Sequence, residues 1–220
     1  MIKSARVIFW LALAAVLLSA GLGGCRQAEK KPRPSIESRV EAFLEDHRLD
    51  WKYDNVSMED GQALHDLIVK NRYKTALEIG TSTGHSAVWI AWALSKTGGR
   101  LTTIEINEYR YKIALDHFKE AGLDEYIDAR LADAHELVPE LEGPFDFVFL
   151  DADKEWYANY LEALVPKLRE GGCFAAHNVE NLRHMQGIRD FLNKLRSYPQ
   201  LETTFAESSA SGISISFKKK

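Results

Sequence analysis

The chain has 220 residues, 45% of them hydrophobic and 27% charged, and a formal net charge of −4. That balance suits one sizeable globular domain behind a short leader and excludes a fibrous or disordered chain. The body is mildly acidic: without Lys3 and Arg6, 26 basic residues face 32 acidic ones, giving −6. Nucleic acid is therefore a poor main partner.

The first 25 residues read separately from the rest. Lys3 and Arg6 precede an apolar run from Val7 to Leu22. The run is short for a membrane-spanning helix and long enough for the apolar part of an export signal. It ends in Leu22-Gly23-Gly24-Cys25, small residues before a cysteine that resemble a bacterial lipobox. The resemblance implies lipidation of Cys25 and a membrane-anchored protein on the periplasmic face. The plainer reading is a signal anchor in which Cys25 is incidental. Arg26, Lys30, Lys31 and Arg33, opposed by Glu29 alone, favour a cytoplasmic face, so both placements stay open. Residues 26–34 contain Pro32 and Pro34 and read as a tether, which leaves 35–220 as the folded domain. Cys173 sits in the apolar run Gly172–Ala176 and reads as a small buried hydrophobe, with no disulfide to Cys25 expected.

Ile36, Val40, Phe43 and Leu44 recur at helical spacing, so 35–47 is an amphipathic helix with Ser35 as its N-cap. A second helix covers 58–71. Strands and helices then alternate. Strands are expected at 75–79, 100–106, 127–131, 145–150, 173–176 and 202–206, with a last one through Ile213, Ile215 and Phe217. Helices are expected at 86–94, 107–121, 135–141, 155–168 and 181–197. Nearly continuous apolar strands between helices imply a parallel sheet covered on both faces. Ligands in such sheets bind outside the carboxyl ends of the strands.

The first strand runs into Glu78-Ile79-Gly80-Thr81-Ser82-Thr83-Gly84-His85-Ser86. Gly80 permits a tight turn, and Gly84 and Ser86 open a helix whose amides can cradle a polar group. The spacing is neither the dinucleotide G-x-G-x-x-G nor a P-loop with its lysine, which makes a nicotinamide-dependent oxidoreductase a poor reading. Glu105 closes the second strand about 20 residues past the turn, where a carboxylate can hold ribose hydroxyls. A ribose reader beside a loop without phosphate-binding character suits a nucleoside lacking phosphate. S-adenosyl-L-methionine (SAM) is one, and Glu78 and Asp151 could supply negative charge near its cationic end.

Leu77–Ala91, Thr103–Asn107, Asp146–Tyr157 and Gly171–Asn178 together resemble the catechol and caffeoyl-CoA O-methyltransferase family, over nearly all of 55–220. The most specific piece is Phe147–Tyr157, which contains Asp151-Ala152-Asp153-Lys154. The resemblance implies an α/β, Rossmann-like, mostly parallel seven-stranded sheet with helices on both faces. It also implies SAM-dependent O-methyl transfer to a small catechol-like or phenolic acceptor. Val56 and Ser57 would then line the SAM pocket with Glu78, Gly80 and Gly84, Ser86 would bind the methionine carboxylate, and Ala134 and His135 would flank the adenine. Dimerisation through helix 35–47 is implied as well.

Methyl transfer from a sulfonium needs aligned reactants and a deprotonated acceptor. A phenol has a pKa of about 10, which a bound cation can lower. The family holds a hard divalent ion on two Asp and one Asn, with a Lys three residues after the first Asp as base. Asp151, Lys154 and Asn178 match, but His177 stands in place of the second Asp. Three outcomes follow. A borderline metal binds through Asp151, His177 and Asn178; or no metal binds and His177 acts as base or hydrogen-bond donor; or the site is catalytically dead. The last is the alternative of a membrane-tethered SAM-binding protein without turnover. Trp156 and Tyr157 are candidate walls for an aromatic acceptor, Trp51 and Tyr53 a candidate lid, and Trp89 and Trp92 core residues.

Overall fold

The fold is described from a computed structural model, covering residues 34–49, 51, 54–206 and 209–220. The leader with Cys25, the tether up to residue 33, and Tyr53 lie outside the described residues.

Two helices precede the sheet. Helix α1 (Ile36–Asp46) starts where the Ser35 side chain accepts from the Ser38 amide, and it buries Val40, Phe43 and Leu44. Helix α2 (Met58–Asn71) is capped in the same way, Ser57 accepting from the Asp60 amide. Each cap satisfies one of the amides that a helix start leaves unpaired. Strand β1 (Thr75–Ile79) follows, then α3 (His85–Thr97), β2 (Arg100–Glu105), α4 (Glu108–Ala121), β3 (Ile127–Leu131), α5 (Ala134–Glu140) and β4 (Phe145–Leu150). The chain continues through a short 3-10 turn (Lys154–Trp156) into α6 (Tyr157–Leu164), β5 (Leu168–Ala176), α7 (Gln186–Arg196), β6 (Leu201–Phe205) and β7 (Ser214–Lys218).

The seven strands lie in the order β3-β2-β1-β4-β5-β7-β6. Pairs from β3 through β5 are parallel, and β7 runs antiparallel to both β5 and β6. The order reverses between β1 and β4, and a crevice opens there at the carboxyl ends of the strands. Side-chain alternation sorts the core onto two faces. Ala76, Phe147, Phe149, Cys173 and Ala175 pack under α1 to α4. Leu77, Ile79, Val148, Leu150, Phe174 and Ala176 pack under α5 to α7.

Three boundaries and one burial pattern differ appreciably from the sequence reading. The helix expected at 155–168 is a 3-10 turn followed by α6, which stops at Leu164, two residues before Pro166, which has no amide proton to continue the helical hydrogen bonds. Strand β5 begins at Leu168 and passes through Gly171-Gly172 with a register shift against β4, so those glycines accommodate an irregular strand instead of ending a helix. Residues 181–185 form turns, and α7 starts at Gln186. In β7, Ser214 and Ser216 are the fully buried residues while Ile215 and Phe217 are half-buried. This strand lies inside the sheet, so small polar side chains occupy its tighter face.

Candidate active site

A cleft of about 670 Å³ lies over the β1/β4 switch point. Gly80 forms its floor at φ +94°, and a Cβ there would sit 2.2 Å from the Asp151 carbonyl oxygen. Only glycine allows the two strand ends to approach this closely. The turn after Gly80 aims the Ser82 amide at Glu105 Oε2 (2.7 Å), while the Asn107 amide donates to Oε1 (2.8 Å). Each Glu105 oxygen is thereby fixed at the cleft wall with a second lone pair to offer.

Below this turn lies a buried polar layer. Glu78 is fully buried and accepts from Thr103 Oγ1. Burial pushes its carboxyl up to about 7; hydrogen bonds from Ser86 and Thr103 pull down, and the Asp151 and Glu105 charges push further up. Among the described residues its Oε1 has no partner in full hydrogen-bond geometry, Ser86 being the hydroxyl near it. Ser86 is thus turned toward Glu78. Val56 is buried, its carbonyl accepting from His85 Nδ1 at 2.9 Å. Gly84 (φ +99°) lets Phe118 pack where a Cβ would be, 2.7 Å from the ring. Glu78, Gly84, Ser86 and Val56 therefore support the cleft from below, whereas Gly80, Glu105, Ala134 and His135 line it. His135 donates through Nε2 toward Asp153 (3.1 Å) and stacks on Trp156 at 4.3 Å between ring centroids.

The opposite wall carries the charges. Lys154 Nζ donates to Asp151 Oδ1 at 2.6 Å and to Tyr157 Oη at 2.8 Å. Tyr157 is fully buried and donates to the Leu150 carbonyl, so it orients the lysine and does not wall an acceptor. His177 lies between two carboxylates: Nδ1 is 3.2 Å from Asp151 Oδ2, and Nε2 is 3.0 Å from Asp60 Oδ2. Burial alone would lower the His177 pKa, but Asp151 and Asp60 outweigh it and push it up to about 9. Burial likewise raises Asp151, yet His177 and Lys154 hold it below the usual carboxylate value. Asp60, itself buried, is held low in the same way by His177.

This geometry bears directly on a divalent metal. A ligand must present a lone pair; His177 commits Nε2 to Asp60, and its Nδ1 is 3.2 Å from Asp151 Oδ2, so a ring protonated on both nitrogens has none to give. Asp151 faces Lys154 through Oδ1 and His177 through Oδ2, so its charge is already balanced by neighbouring groups. Asn178 stands at the cleft, with φ +63°, beside Asp151 and His177, which face each other. Among the described residues no cluster of three His, Cys, Asp or Glu side chains is arranged to hold an ion.

Asp60 is the residue that sequence reading missed. Its one visible signal was Ser57-x-x-Asp60, a helix-start pattern with a purely local explanation. Trp51, read as a lid, instead stacks on His85 at 4.3 Å and 7°. Trp89 and Trp92 are core residues.

Relatives share this architecture. The O-methyltransferase from Bacillus cereus, solved in complex with SAH, superposes with a TM-score of 0.72 at 28% identity, covering 85% of this chain and 93% of that one. TomG from Streptomyces achromogenes, an O-methyltransferase involved in tomaymycin synthesis and solved with SAM, gives 0.71 at 26%, covering 87% and 92%. Caffeoyl-CoA O-methyltransferase of Medicago sativa is 33% identical over 135 residues, 59% of this chain and 54% of the relative. Catechol O-methyltransferase of Niastella koreensis is 36% identical over 129 residues, 57% and 58%. The chain thus spans little more than half the length of the curated relatives it matches. The family profile described as O-methyltransferase matches residues 37–186, and the chain belongs to that family.

Proposed function

We propose that this chain transfers the methyl group of SAM to the hydroxyl oxygen of a small phenolic or catechol-like acceptor. The observation that carries the reading is one cleft with Glu105 fixed on one wall and Asp151, Lys154 and His177 on the other. SAM, when bound, supplies an electrophilic methyl on a sulfonium. Glu105 accepts hydrogen bonds from its ribose hydroxyls, and His135 and Ala134 border the base. Glycine at position 80 leaves backbone room, and Asp151 contributes negative charge.

On the acceptor side, Lys154 rests as the ammonium paired with Asp151 and takes the hydroxyl proton at Nζ after releasing its own to solvent, as a general base must. Asp151 and Tyr157 fix the position of that nitrogen. Incubation with methyl-labelled SAM and a panel of catechols, phenols and thiols tests the reading. Label in an aryl methyl ether supports it, and SAM binding without transfer to any acceptor favours the scaffold alternative.

The leader is part of this proposal as a tether: the lipobox-like Leu22–Cys25 places the enzyme at a membrane through a lipidated Cys25. Labelling with a palmitate analogue that disappears in Cys25→Ala supports this, and labelling that persists overturns it. Among the described residues no helix is long and apolar enough to cross a membrane. Pairing of two copies through α1 rests on family resemblance, since Val40, Phe43 and Leu44 turn into their own domain. A monomer in equilibrium sedimentation removes it.

A further inference from the structure

The four charged groups at the β4 and β5 ends form an alternating series: Asp60, His177, Asp151, Lys154. A carboxylate that accepts from Nε2 requires a proton there, and Nδ1, buried 3.2 Å from Asp151 Oδ2 off the line of a hydrogen bond, faces negative charge that a bare ring lone pair would repel. Asp60 comes from the first turn of α2, far away in sequence, and it is buried against His177. A buried carboxylate in this position requires a cationic partner. His177 is therefore a cation by construction, and its raised affinity for a proton agrees with this.

A divalent ion in the same place would have to take Asp151 from two cations and bind beside them. We propose that His177, clamped by Asp60, is a built-in cation standing in for the divalent metal of this active site, and that it favours an anionic acceptor oxygen through its charge at the cleft lining and not through a hydrogen bond. This extends the methyl-transfer reading above and rests on it. Asp60 is then a positioning residue: it touches no reactant and acts by keeping His177 charged and oriented. Among the described residues Asp151 and the Phe149 ring also face His177, and Lys154 is linked to it through Asp151.

The test uses the full chain in detergent, stripped with chelator, and has three readouts. Calorimetric titration with Mg²⁺, Mn²⁺ and Zn²⁺ salts is expected to give no saturable binding. Histidine ¹⁵N spectra are expected to show one doubly protonated ring at neutral pH that vanishes in His177→Gln. EDTA is expected to leave the methyl-transfer rate unchanged. The variant His177→Asp, which rebuilds a pair of carboxylates beside Asn178, is expected to gain Mn²⁺ binding and EDTA-sensitive transfer. Asp60→Asn is expected to move the alkaline limb of the kcat/KM profile to lower pH.

Saturable metal binding by the unaltered chain that is lost in Asp151→Asn would overturn the proposal, as would a neutral His177 ring. Absence of transfer to every acceptor would instead count against the methyltransferase reading, and the metal and ¹⁵N readouts would still decide the cation question.

Discussion

Replacing His177 with Gln should change how stability depends on pH, and the direction follows from the site. Folding raises the His177 pKa from 6.5 to about 9. Between those values the folded chain keeps a proton that the unfolded chain has released, so stability falls as pH rises. Each pH unit in the window is worth at most about 1.4 kcal/mol, and the whole window on the order of 3 kcal/mol. This contribution is fully present below pH 6.5 and is lost as pH rises through about 9. Glu78 acts in the same sense at lower pH, since burial raises it from 4.5 to about 7. The buried Cys173 and Tyr157 begin from ordinary values of 9.0 and 10.0, so they contribute above the window. Urea unfolding at constant ionic strength, stepped across the window, reads the slope. The unaltered chain should lose stability steadily, and His177→Gln should be less stable at neutral pH but nearly flat above it. Equal slopes in the two proteins would refute the reasoning, because the proton would then reside elsewhere.

Other outcomes follow from single contacts. Lys154→Met should lower kcat by about 10²- to 10⁴-fold, the usual worth of a positioned general base, with SAM affinity retained in calorimetry. Gly80→Ala should destabilise the chain by at least about 2 kcal/mol, since a left-handed residue gains a Cβ against the Asp151 carbonyl; thermal unfolding measures it. Ser57→Ala removes the hydroxyl that caps α2 at the Asp60 amide and should cost about 1 kcal/mol, with a small downward shift of the alkaline activity limb.

Much of the sheet was readable in sequence because its strands are apolar runs bounded by turn residues. Thr75–Ile79, Ile127–Leu131 and Phe145–Leu150 fall where the pattern puts them, and Ser35 caps α1 as its residue type suggests. Glu105 was legible from its spacing past the Gly80 turn. The β5 irregularity was not, because Arg169-Glu170-Gly171-Gly172 has the composition of a loop and is carried in the strand between Leu168 and Cys173, the residues that pair with β4 on either side of the register shift. Asp60 was hidden for a related reason. Its meaning depends on α2 folding back over the end of β5, a contact between residues 117 apart in the chain. Local patterns carry no information about such a meeting. The departure at His177 was visible, but what it does required the partner.

The most direct test of the central claim is calorimetric titration of SAM into the full chain in detergent, beside the Glu105→Ala variant. Saturable binding by the unaltered chain that is lost or greatly weakened in Glu105→Ala is the predicted result. Absence of binding in both, or equal binding in both, would contradict the assignment of this cleft as a SAM site.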